Sequence, residues 1–486
     1  MILSKRRTKI IATIGHALLK KGVLEKAIKK VDALRFNFSH FTPTTANPVL
    51  RRIESATSST HNVALIADLK GPEIRSDQHS HVLKKNTVIK LACQTPPAHN
   101  NTRSNKTAPK NHHPSQKDTP TTVVVGISHP KLYALVAPNQ VITADDGKIA
   151  FKVIQPHPRT KTIDVKVTIG GTLAPNKTLN VPKVDLKLNI LDERDKATLT
   201  YVCKKRFNWI AASFINCAQD IITIKKFIAD KNPNLKIIAK IETRTGVKNI
   251  DEIIAISDGV MIARGDLGEN FPYEQIPSLQ NLILQKTQRQ GKLIIVATQM
   301  LETLMTHVTP KRPEVTDVAI AVRSRVDAVM LSGETAVGHY PLKAIDVMHK
   351  IISETEKNLQ SEHLYPYSGK ELIFPIIKQG LELARMTTAK YLIAITTRGK
   401  SPRIIAALRP PTPCIVACYY KPTFEHSHLY YAVSPIMIKR HLNKEQDLKY
   451  ILKNFNLVKK NENIIFVFGF PFKINPTNTI RWIKMR

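Results

Sequence analysis

Residues 236–266 read KIIAKIETRTGVKNIDEIIAISDGVMIARGD and contain two short apolar runs, KIIAKIE at 236–242 and GVMIARGD at 259–266. Each run is too short for a helix and nearly unbroken, which is typical of parallel strands buried on both faces. The distance between the runs suits a strand followed by a crossover helix. Both runs end in charged residues, so the stretch predicts a repeating strand–helix unit with polar groups at the strand ends.

The same kind of run recurs along the chain, and the full set of predicted strands is 9–14, 33–38, 63–69, 209–214, 236–242, 259–266, 293–300 and 328–335. Every step between successive runs suits one strand plus one helix, apart from the long step after 63–69. Apolar residues recur at three- and four-residue spacing in 22–31 and 340–354, as in helices that pack on a sheet. The pattern predicts an α/β fold with a (β/α)8 TIM barrel, formed by residues 1–76 and 176–355.

The remaining parts of the chain have different patterns. Within 77–175, three segments alternate in polarity and are rich in β-branched residues, which predicts a small inserted β-barrel domain; they are 121–127, 148–154 and 161–168. After residue 355, a helical pattern is followed by strand-like runs, at 372–386 and then at 391–396, 414–419 and 463–468. Residues 356–486 are therefore predicted to form a C-terminal three-layer α/β domain.

A length of 486 residues also favours several domains over one. The five cysteines are scattered and form no Cys-x-x-Cys pair, so neither a disulfide framework nor a zinc site is expected. No stretch approaches the roughly 20 consecutive apolar residues that a membrane span requires. Residues 1–15 end in the first core strand and lack a small-residue cleavage site, so we expect a cytoplasmic protein with no membrane partner.

The charge balance is unusual, because 73 Lys and Arg residues face 38 acidic residues, for a net charge of +35. A field of this size attracts nucleic acid or acidic surfaces. The excess is spread along the whole chain, however, and no zinc-finger, basic leucine-zipper or RNA-binding signature accompanies it. Compositional drift toward lysine is therefore favoured over a polyanion partner, and nucleic-acid binding is the less favoured alternative.

Polar residues stand at the predicted carboxyl ends of strands two to eight, the side of a barrel that carries catalytic groups. They are Arg35, Asn37, Ser39, His40, Asp68, Lys70, Glu73, Arg75, Ser213, Lys240, Glu242, Arg264, Asp266, Thr298, Ser332 and Glu334. Buried charges are costly unless they meet a ligand or a partner. A set that spans seven strands therefore predicts a functional site rather than isolated structural ion pairs.

The residue types indicate phosphoryl chemistry. Glu242 and Asp266 end adjacent strands and offer hard oxygens to a divalent ion such as Mg2+ or Mn2+. Lys240 ends the same strand as Glu242, and a lysine beside a two-carboxylate metal site suits the charge of a transferring phosphoryl group. The turn at 264–268 is predicted to present backbone N–H groups to a carboxylate.

Other strand-end residues suit a monovalent cation and phosphate. Asn37, Ser39 and Asp68 supply hard oxygens of low total charge, which fits a monovalent cation better than a second divalent one. The groups suited to phosphate are Arg35, Arg75 and His40.

Eight segments resemble the motifs of the pyruvate kinase family, in the family's order and spacing and across essentially the whole chain. They are TKIIATIG (8–15), LRFNFSH (34–40), ADLKGPEIR (67–75), DDG (145–147), AKIE (239–242), ARGDLG (263–268), ATQMLE (297–302) and MLSGETA (330–336). A lid inserted after the third strand and a C-terminal regulatory domain are also part of that family's architecture. Any one motif is weakly specific, whereas eight in register are strongly so.

The resemblance implies a kinase that moves the phosphoryl group of phosphoenolpyruvate to ADP, giving pyruvate and ATP in the last step of glycolysis. The catalytic groups it implies are Lys240, Thr298 and Arg35. The substrate-binding residues it implies are Arg35, Lys240, Gly265, Asp266, Thr298 and Ser213. The metal ligands it implies are Glu242 and Asp266 for Mg2+ or Mn2+, with Asn37, Ser39, Asp68 and the Leu69 carbonyl for K+, where Glu73 suits the potassium-dependent pattern.

The resemblance also implies a nucleotide site, an effector site and a homotetramer. The nucleotide contacts would be His40, Arg75 and Lys177. A phosphorylated sugar or nucleotide effector would bind the C-terminal loop at Thr396, Thr397, Gly399, Lys400 and Ser401.

Several positions depart from the family's pattern. Phe41 replaces a glycine after the Ser-His pair, and Asn216 stands where the family has an arginine. These changes are expected to affect nucleotide affinity and subunit packing more than the chemistry. The alternatives are a degenerate, non-catalytic relative with a regulatory or polyanion-binding role, and another barrel enzyme that uses phosphoenolpyruvate. Loss of the lysine or metal groups would mark the first alternative, and both are retained.

Overall fold

The computed structural model describes residues 6–57, 62–93, 123–145, 147–182, 189–359, 367, 369–396, 399–438, 447–455, 457, 460–471 and 476–484. The chain divides into two units, one made of Met1–Gly71 and Ile190–Arg486 and the other of Pro72–Asn189. Within the described ranges, no helix combines the length and the apolar character needed to cross a lipid bilayer.

The strands, in chain order, are β1 Lys9–Thr13, β2 Ala33–Asn37, β3 Ala64–Asp68, β4 Ile74–Arg75, β5 His81–Leu83, β6 Val88–Cys93, β7 Val124–Ile127, β8 Val141–Ala144, β9 Ile149–His157, β10 Thr162–Ile169, β11 Gly171–Leu173, β12 Thr178–Asn180, β13 Trp209–Ala212, β14 Lys236–Ile241, β15 Gly259–Ala263, β16 Leu293–Ala297, β17 Ala328–Leu331, β18 Tyr391–Thr396, β19 Cys414–Cys418, β20 Val433–Met437, β21 Asn463–Phe468 and β22 Thr479–Lys484.

The α-helices are α1 His16–Leu19, α2 Val23–Ile28, α3 Pro43–Ala56, α4 Glu193–Cys203, α5 Ala218–Ala229, α6 Arg244–Lys248, α7 Ile250–Ile256, α8 Arg264–Asn270, α9 Ile276–Arg289, α10 Arg312–Arg323, α11 Gly333–Ala336, α12 Pro341–Lys357, α13 Phe374–Met386, α14 Lys400–Ala407, α15 Lys421–His426 and α16 Leu448–Asn454. Short 3-10 turns lie at Leu132–Ala134, Tyr273–Gln275, Glu302–Met305 and Ser427–Leu429.

Eight parallel strands close into a barrel in the order β1-β17-β16-β15-β14-β13-β3-β2. The predicted TIM barrel is therefore confirmed. Three of the predicted runs extended three or more residues beyond the carboxyl ends of their strands, because β15 ends at Ala263, β16 at Ala297 and β17 at Leu331. α8 begins directly after β15, and α11 begins at Gly333, one residue after β17. The polar ends of 259–266 and 328–335 therefore lie at the starts of helices.

The barrel strands are mostly apolar between their ends because both of their faces are buried. Ile10 and Ala12 pack outward in the core shared with the surrounding helices. Ile11 points to the barrel interior, whose core continues into the C-terminal sheet through residues such as Leu392 and Val416. Alternate residues of one unbroken run therefore serve two cores.

The unit Pro72–Asn189 holds a seven-stranded sheet in the order β4-β12-β8-β9-β10-β6-β7 and a two-stranded sheet of β11 and β5. The predicted inserted β domain is confirmed. Its pairs are antiparallel except β6–β7, which is parallel. A parallel pair requires a long crossover, and the chain between Cys93 and Val124 is long enough to supply one.

The C-terminal residues form a five-stranded sheet in the order β20-β19-β18-β21-β22, in which β22 alone pairs antiparallel. Along β18, Leu392 packs in a core with residues of α13 and α14, whereas Ile393 packs in a core with α16. Helices therefore cover both faces, and the predicted three-layer α/β arrangement is confirmed.

The amino-terminal ends of the barrel strands, which we call the floor, adjoin the C-terminal sheet. The Lys9 ammonium donates to the Val433 carbonyl at 2.7 Å. The Asp327 carboxylate accepts from the Arg409 guanidinium at 2.7 Å and from the Tyr431 N–H at 3.0 Å. Buried charged side chains therefore join the floor to the C-terminal sheet. We call the opposite end of the barrel the mouth, and it carries the candidate site.

Candidate active site

Lys240, on β14, lies at the centre of a buried group of charges at the mouth. Its Nζ lies 2.9 Å from Glu242 Oε1 and 3.3 Å from Asp68 Oδ1. It also donates to Ser213 Oγ at 2.7 Å. Lys240 is 9% exposed, and both carboxylates are 1% exposed. Four side chains from neighbouring strand ends therefore meet in one contact group, as their strand-end positions predicted.

Arg35 extends this group along β2. Its Nε lies 2.6 Å from Asp68 Oδ2, and its Nη1 donates to Thr13 Oγ1 at 3.1 Å. Each oxygen of the Asp68 carboxylate therefore faces a different cation. Burial alone would raise the pKa of Asp68, but the charges of Arg35 and Lys240 outweigh it and lower that pKa. Asp68 thus remains ionised.

The pKa values of Lys240 and Glu242 are both raised above their usual values. Burial lowers the pKa of Lys240, yet the negative charges of Asp68, Glu242 and Asp266 outweigh it and raise that pKa above its usual value. Burial raises the pKa of Glu242 to about 7, the Asp266 carboxylate adds to the rise, and Lys240 opposes it. The Lys240 ammonium therefore stays charged at neutral pH, whereas the pKa of the Glu242 carboxyl lies close to neutral pH.

Glu242 and Asp266 are the two candidate ligands for a divalent ion. Asn270 links them, because its Nδ2 donates to the Glu242 carbonyl at 2.9 Å and to the Asp266 carbonyl at 3.2 Å. In the part of the chain that the structure describes, no group of three or more His, Cys, Asp or Glu side chains forms a metal site. Mg2+ is commonly held by one or two carboxylates together with water and substrate oxygens, so a pair of carboxylates suits it.

The residues predicted for K+ lie on neighbouring strand ends. Asn37 and Asp68 are direct partners in the β2–β3 register. The Asn37 Oδ1 accepts from the Ser39 N–H at 3.0 Å, and the Leu69 carbonyl accepts from Ser213 Oγ at 2.9 Å. Amide, hydroxyl and carbonyl oxygens with one carboxylate fit a weakly charged cation.

Thr298 follows β16 in an unusual backbone conformation. Its φ is +66°, and that of the next residue, Gln299, is +53°. Its Oγ1 accepts from the Gly265 N–H at 2.8 Å and donates to the Ala297 carbonyl at 2.6 Å. Two successive non-glycine residues in the left-handed region are strained, and such strain is found at functional sites. The structure thus joins Thr298 to the first turn of α8, which also contains Asp266.

Arg264 holds this strained loop. Its Nη2 donates to the Thr298 carbonyl at 2.8 Å and to the Gln299 carbonyl at 3.0 Å. Its Nη1 faces both oxygens of Asp317, at 2.7 and 2.6 Å. The sequence placed Arg264 at the mouth but gave no sign of Asp317, which lies on α10. Arg264 therefore acts on the backbone beside the site.

A buried carboxylate that the sequence analysis missed supports the last residue before the second unit. Asp195, 1% exposed, accepts from the Gly71 N–H at 3.1 Å through Oδ2. Gly71 has a φ of +73°, and a Cβ there would lie 2.9 Å from the Ser213 Cβ, so glycine is required. Burial and the neighbouring Asp192 raise the pKa of Asp195 to about 6. Its role depends on a partner in another segment, which local sequence does not reveal.

The residues predicted for the nucleotide fall in both units. His40 is exposed in the first unit. In the second unit, Arg75 donates to the Asn176 carbonyl at 2.7 Å, and the Lys177 ammonium lies 2.7 Å from Asp145 Oδ1. Arg75 and Lys177 therefore lie close together at the β4–β12 pair.

The C-terminal loop collects most of the residues predicted for an effector. Gly399, with a φ of +77°, donates its N–H to Thr396 Oγ1 at 3.2 Å and precedes α14. Lys400 and Ser401 begin that helix, and Ser401 Oγ lies 3.2 Å from Thr477 Oγ1. Thr397 lies outside the described residues.

Comparisons with known proteins match nearly the whole length of the chain. The family profile described as "Pyruvate kinase, barrel domain" matches residues 5–345, and the one described as "Pyruvate kinase, alpha/beta domain" matches 375–483. The pyruvate kinase of Clostridium perfringens is 30% identical, over 99% of this chain and 100% of its own length. Those of Lachancea kluyveri and Thermococcus litoralis are 32% and 31% identical, over 98% and 99% of this chain and 95% and 99% of theirs.

Proposed function

Because the chain belongs to the pyruvate kinase family, we propose that it transfers the phosphoryl group of phosphoenolpyruvate to ADP, giving pyruvate and ATP. The observation that carries this proposal is the contact group of Lys240, Glu242 and Asp68 at the mouth of the barrel. The full-length relatives favour this function over a degenerate, non-catalytic one.

Lys240 stabilises the phosphoryl group in flight. Its raised pKa supports this role, because an ammonium that stays charged at neutral pH counters the negative charge that develops on the transferring oxygens. Arg35 binds the substrate phosphate from the adjacent strand end. Binding exchanges part of the contact of Arg35 and Lys240 with Asp68 for contact with phosphate oxygens.

Two cations complete the proposed site. Glu242 and Asp266 would hold Mg2+ or Mn2+, and Asn37, Ser39, Asp68 and the Leu69 carbonyl would hold K+. When bound, the two ions would supply positive charge that offsets the negative charge of the substrate. Glu242 binds the divalent ion in its ionised form, and its Oε2 is oriented by the Phe214 N–H at 2.6 Å.

Thr298 lies beside the enolate carbon of the substrate. The Gly265 and Asp266 backbone N–H groups, with Thr298, bind the substrate carboxylate, and Ser213 contacts the substrate through the hydroxyl that also accepts from Lys240. The strained Thr298 loop supports this role, since a hydroxyl fixed before substrate arrives needs little reorganisation during reaction.

The remaining assignments concern nucleotide, effector and assembly. His40, Arg75 and Lys177 are the proposed ADP contacts. The loop of Thr396, Gly399, Lys400 and Ser401, with Thr397, is proposed to bind a phosphorylated sugar or nucleotide. We also propose a cytoplasmic homotetramer, with residues 77–175 as the lid domain and 356–486 as the regulatory domain.

A lactate dehydrogenase-coupled assay with Mg2+ and K+ tests the reaction. Purified protein should form pyruvate from phosphoenolpyruvate only when ADP is present, and Lys240→Met should lower kcat by about 100-fold or more because it removes the cation at the transferring group. A folded protein that forms no pyruvate would refute the reaction. A Lys240→Met enzyme with nearly unchanged kcat would refute the role of the lysine.

The effector site has a separate test. Fructose 1,6-bisphosphate and AMP should shift the phosphoenolpyruvate response of the unmodified enzyme, and Ser401→Ala, in the loop, should weaken that shift without altering kcat. An unchanged substrate response and an unchanged thermal midpoint with both compounds would contradict this assignment.

A further inference from the structure

A recess of about 580 Å3 opens at the floor of the barrel, at the opposite strand ends from the candidate active site. We call it the floor recess and define it by Lys225, Lys236, Asp258, Tyr420, Thr423 and His426. Lys236 is the first residue of β14, whereas Lys240 lies near the other end of the same strand. The recess is therefore separate from the site that the proposed reaction uses.

The floor recess has walls from two parts of the chain. Lys225, on α5, and Lys236 belong to the barrel, whereas Tyr420 and Thr423 belong to the C-terminal segment around α15. The Tyr420 hydroxyl donates to Asn234 Oδ1 at 3.2 Å across this seam. Ligand sites commonly lie between domains, and the volume falls within the roughly 300–1,000 Å3 of small-molecule pockets.

The recess concentrates positive charge. Lys225 and Lys236 line the recess, and Lys292 lies near enough for their charges to act on its pKa. All three lysines are half-buried, and each ammonium donates to an oxygen without charge. Lys225 Nζ donates to the Ile256 carbonyl at 2.6 Å, and Lys292 Nζ donates to the Ser257 carbonyl at 2.7 Å. Lys236 Nζ donates to the Tyr430 hydroxyl at 2.7 Å. None of these contacts neutralises an ammonium charge.

Asp258 is the carboxylate whose charge acts on both Lys236 and Lys292. Its Oδ2 already accepts from the Ile237 N–H at 3.0 Å. Burial lowers the pKa of Lys292, and although Asp258 raises it, repulsion from Arg403, Lys225 and Lys236 lowers it further. Arg403 is paired with Glu371, whereas Asp258 is the carboxylate that lines the recess beside Lys225 and Lys236. The two lysines exceed this one carboxylate in charge, so an added anion would relieve the repulsion.

The other lining groups are neutral or apolar. Burial and the charge of Lys236 lower the pKa of His426 to about 3, so this imidazole carries no charge at neutral pH. Leu235 and Pro422 provide apolar surface, and Thr423 also lines the recess. The recess therefore combines a cationic side with a wall suited to an uncharged organic group.

We propose that the floor recess binds a phosphate monoester of metabolite size, with its phosphate on Lys225 and Lys236 and its organic part against Leu235 and Pro422. A doubly charged phosphate matches several ammonium groups better than a single carboxylate does. Because both walls contact the ligand, its binding joins the C-terminal segment more firmly to the barrel and raises the thermal midpoint of the chain.

Tryptophan fluorescence can report on this recess directly. Lys236 Nζ lies 5.4 Å from the Trp209 ring centroid, and Trp209 also makes edge contacts with His426 at 5.6 Å and Tyr430 at 6.1 Å. The other tryptophan, Trp482, is 53% exposed on β22. A Trp482→Phe protein therefore retains Trp209 as its single tryptophan.

Glucose 6-phosphate, ribose 5-phosphate and inorganic phosphate are titrated into the Trp482→Phe protein, with glucose and ribose as uncharged controls. A sugar phosphate should produce a saturable change and bind more tightly than inorganic phosphate. Lys236→Met should weaken that binding about tenfold or more, as for the loss of one charge-assisted contact. Ser401→Ala, in the C-terminal loop, should leave it unchanged.

Three results would overturn the proposal. The first is the absence of a saturable change with either sugar phosphate up to about 10 mM, because only a very weak affinity would escape detection at that concentration. The second is binding of inorganic phosphate as tight as that of the sugar phosphates. The third is a fluorescence response that is lost in Ser401→Ala but kept in Lys236→Met. If Lys236→Met fails to fold, Lys225→Met replaces it, because Lys225 lies on a helix surface and its loss leaves β14 intact.

Discussion

The mouth and the floor of the same barrel both bury charged side chains, but they use them differently. At the mouth, Lys240 contacts the side chains of Glu242, Asp68 and Ser213. At the floor, Lys9 donates to the backbone carbonyl of Val433. The charges of the Lys240 group are thus paired mainly with other side chains, whereas the charges at the floor also bond the backbone of a distant segment.

The two kinds of contact differ in whether they can be replaced by contacts with a ligand. A side-chain ion pair at the mouth can open and accept phosphate oxygens or a metal ion without unfolding any element. A charge bonded to backbone at the floor cannot leave without exposing the strand that it holds, as at Asp327, which accepts from the Ile294 and Tyr431 N–H groups. We expect floor substitutions to lower stability and mouth substitutions to lower activity.

The largest expected effect is at Asp327. Asp327→Asn removes the charge that faces the buried Arg409 guanidinium and should destabilise the fold by about 3–5 kcal/mol, because it leaves an uncompensated buried cation. Thermal unfolding followed by circular dichroism measures this change. Asp346→Asn is the matched control, since its pair with Lys30 is more than 40% exposed on both sides and should matter by at most about 1 kcal/mol. Equal thermal midpoints for the two variants would break the comparison.

Arg264 tests the comparison between mouth and floor, because it lies at the mouth but donates hydrogen bonds to backbone carbonyls. Arg264→Lys cannot donate to the Thr298 and Gln299 carbonyls together, so the strained loop should relax and kcat should fall by roughly 10- to 100-fold. The KM for ADP should change much less, as measured in the coupled assay. A fall in thermal midpoint with unchanged kcat would assign Arg264 a structural role only.

The smallest expected effect concerns protons at the mouth. Burial and Asp266 raise the pKa of Glu242 to about 7, so protons compete with a divalent ion for this carboxylate. Apparent Mn2+ affinity, measured by calorimetry, should fall about tenfold from pH 8 to pH 6. Glu242→Gln should bind Mn2+ weakly at both pH values. A pH-independent affinity in the unmodified protein would contradict the assignment of Glu242 as a ligand.

Without a bound cation, the raised pKa of Glu242 also makes the stability of the fold depend on pH. The pKa of Glu242 in the folded chain lies above its value of about 4.3 in the unfolded chain. The stability that protonated Glu242 contributes is therefore fully present below about pH 4.3. The contribution is lost as the pH rises through about 7.

The barrel could be predicted from the sequence because its strands are buried on both faces, which leaves unbroken apolar runs such as 236–242. The positions of Lys240, Glu242 and Asp68 followed, since parallel strands present their carboxyl ends at one face. The contact between Lys240 and Ser213 needed only that these strands be neighbours, as the β13–β14 pairing shows. Local pattern and topology therefore sufficed for the centre of the site.

Contacts between distant segments could not be predicted in this way. Asp317 is half-buried on α10, and nothing in its own helix marks it as the partner of Arg264. Asp195 reads as a first-turn acid of α4, yet it also fixes Gly71. Phe41, which replaces a glycine of the family pattern, packs edge-on against Phe36 at 5.2 Å, so its ring is accommodated in the aromatic core. These outcomes depend on tertiary packing, which no local period records.

The order in which the barrel closes bears on how the chain is made. β1 pairs with β17, in the register Lys9↔Ala328, so the first strand finds its second neighbour only after most of the chain has been synthesised. At roughly 5–20 residues per second, the growing sheet of β1, β2 and β3 waits on the order of tens of seconds with open edges. Unpaired edges recruit other strands, so translation speed and chaperone capture should govern the yield of this protein in cells.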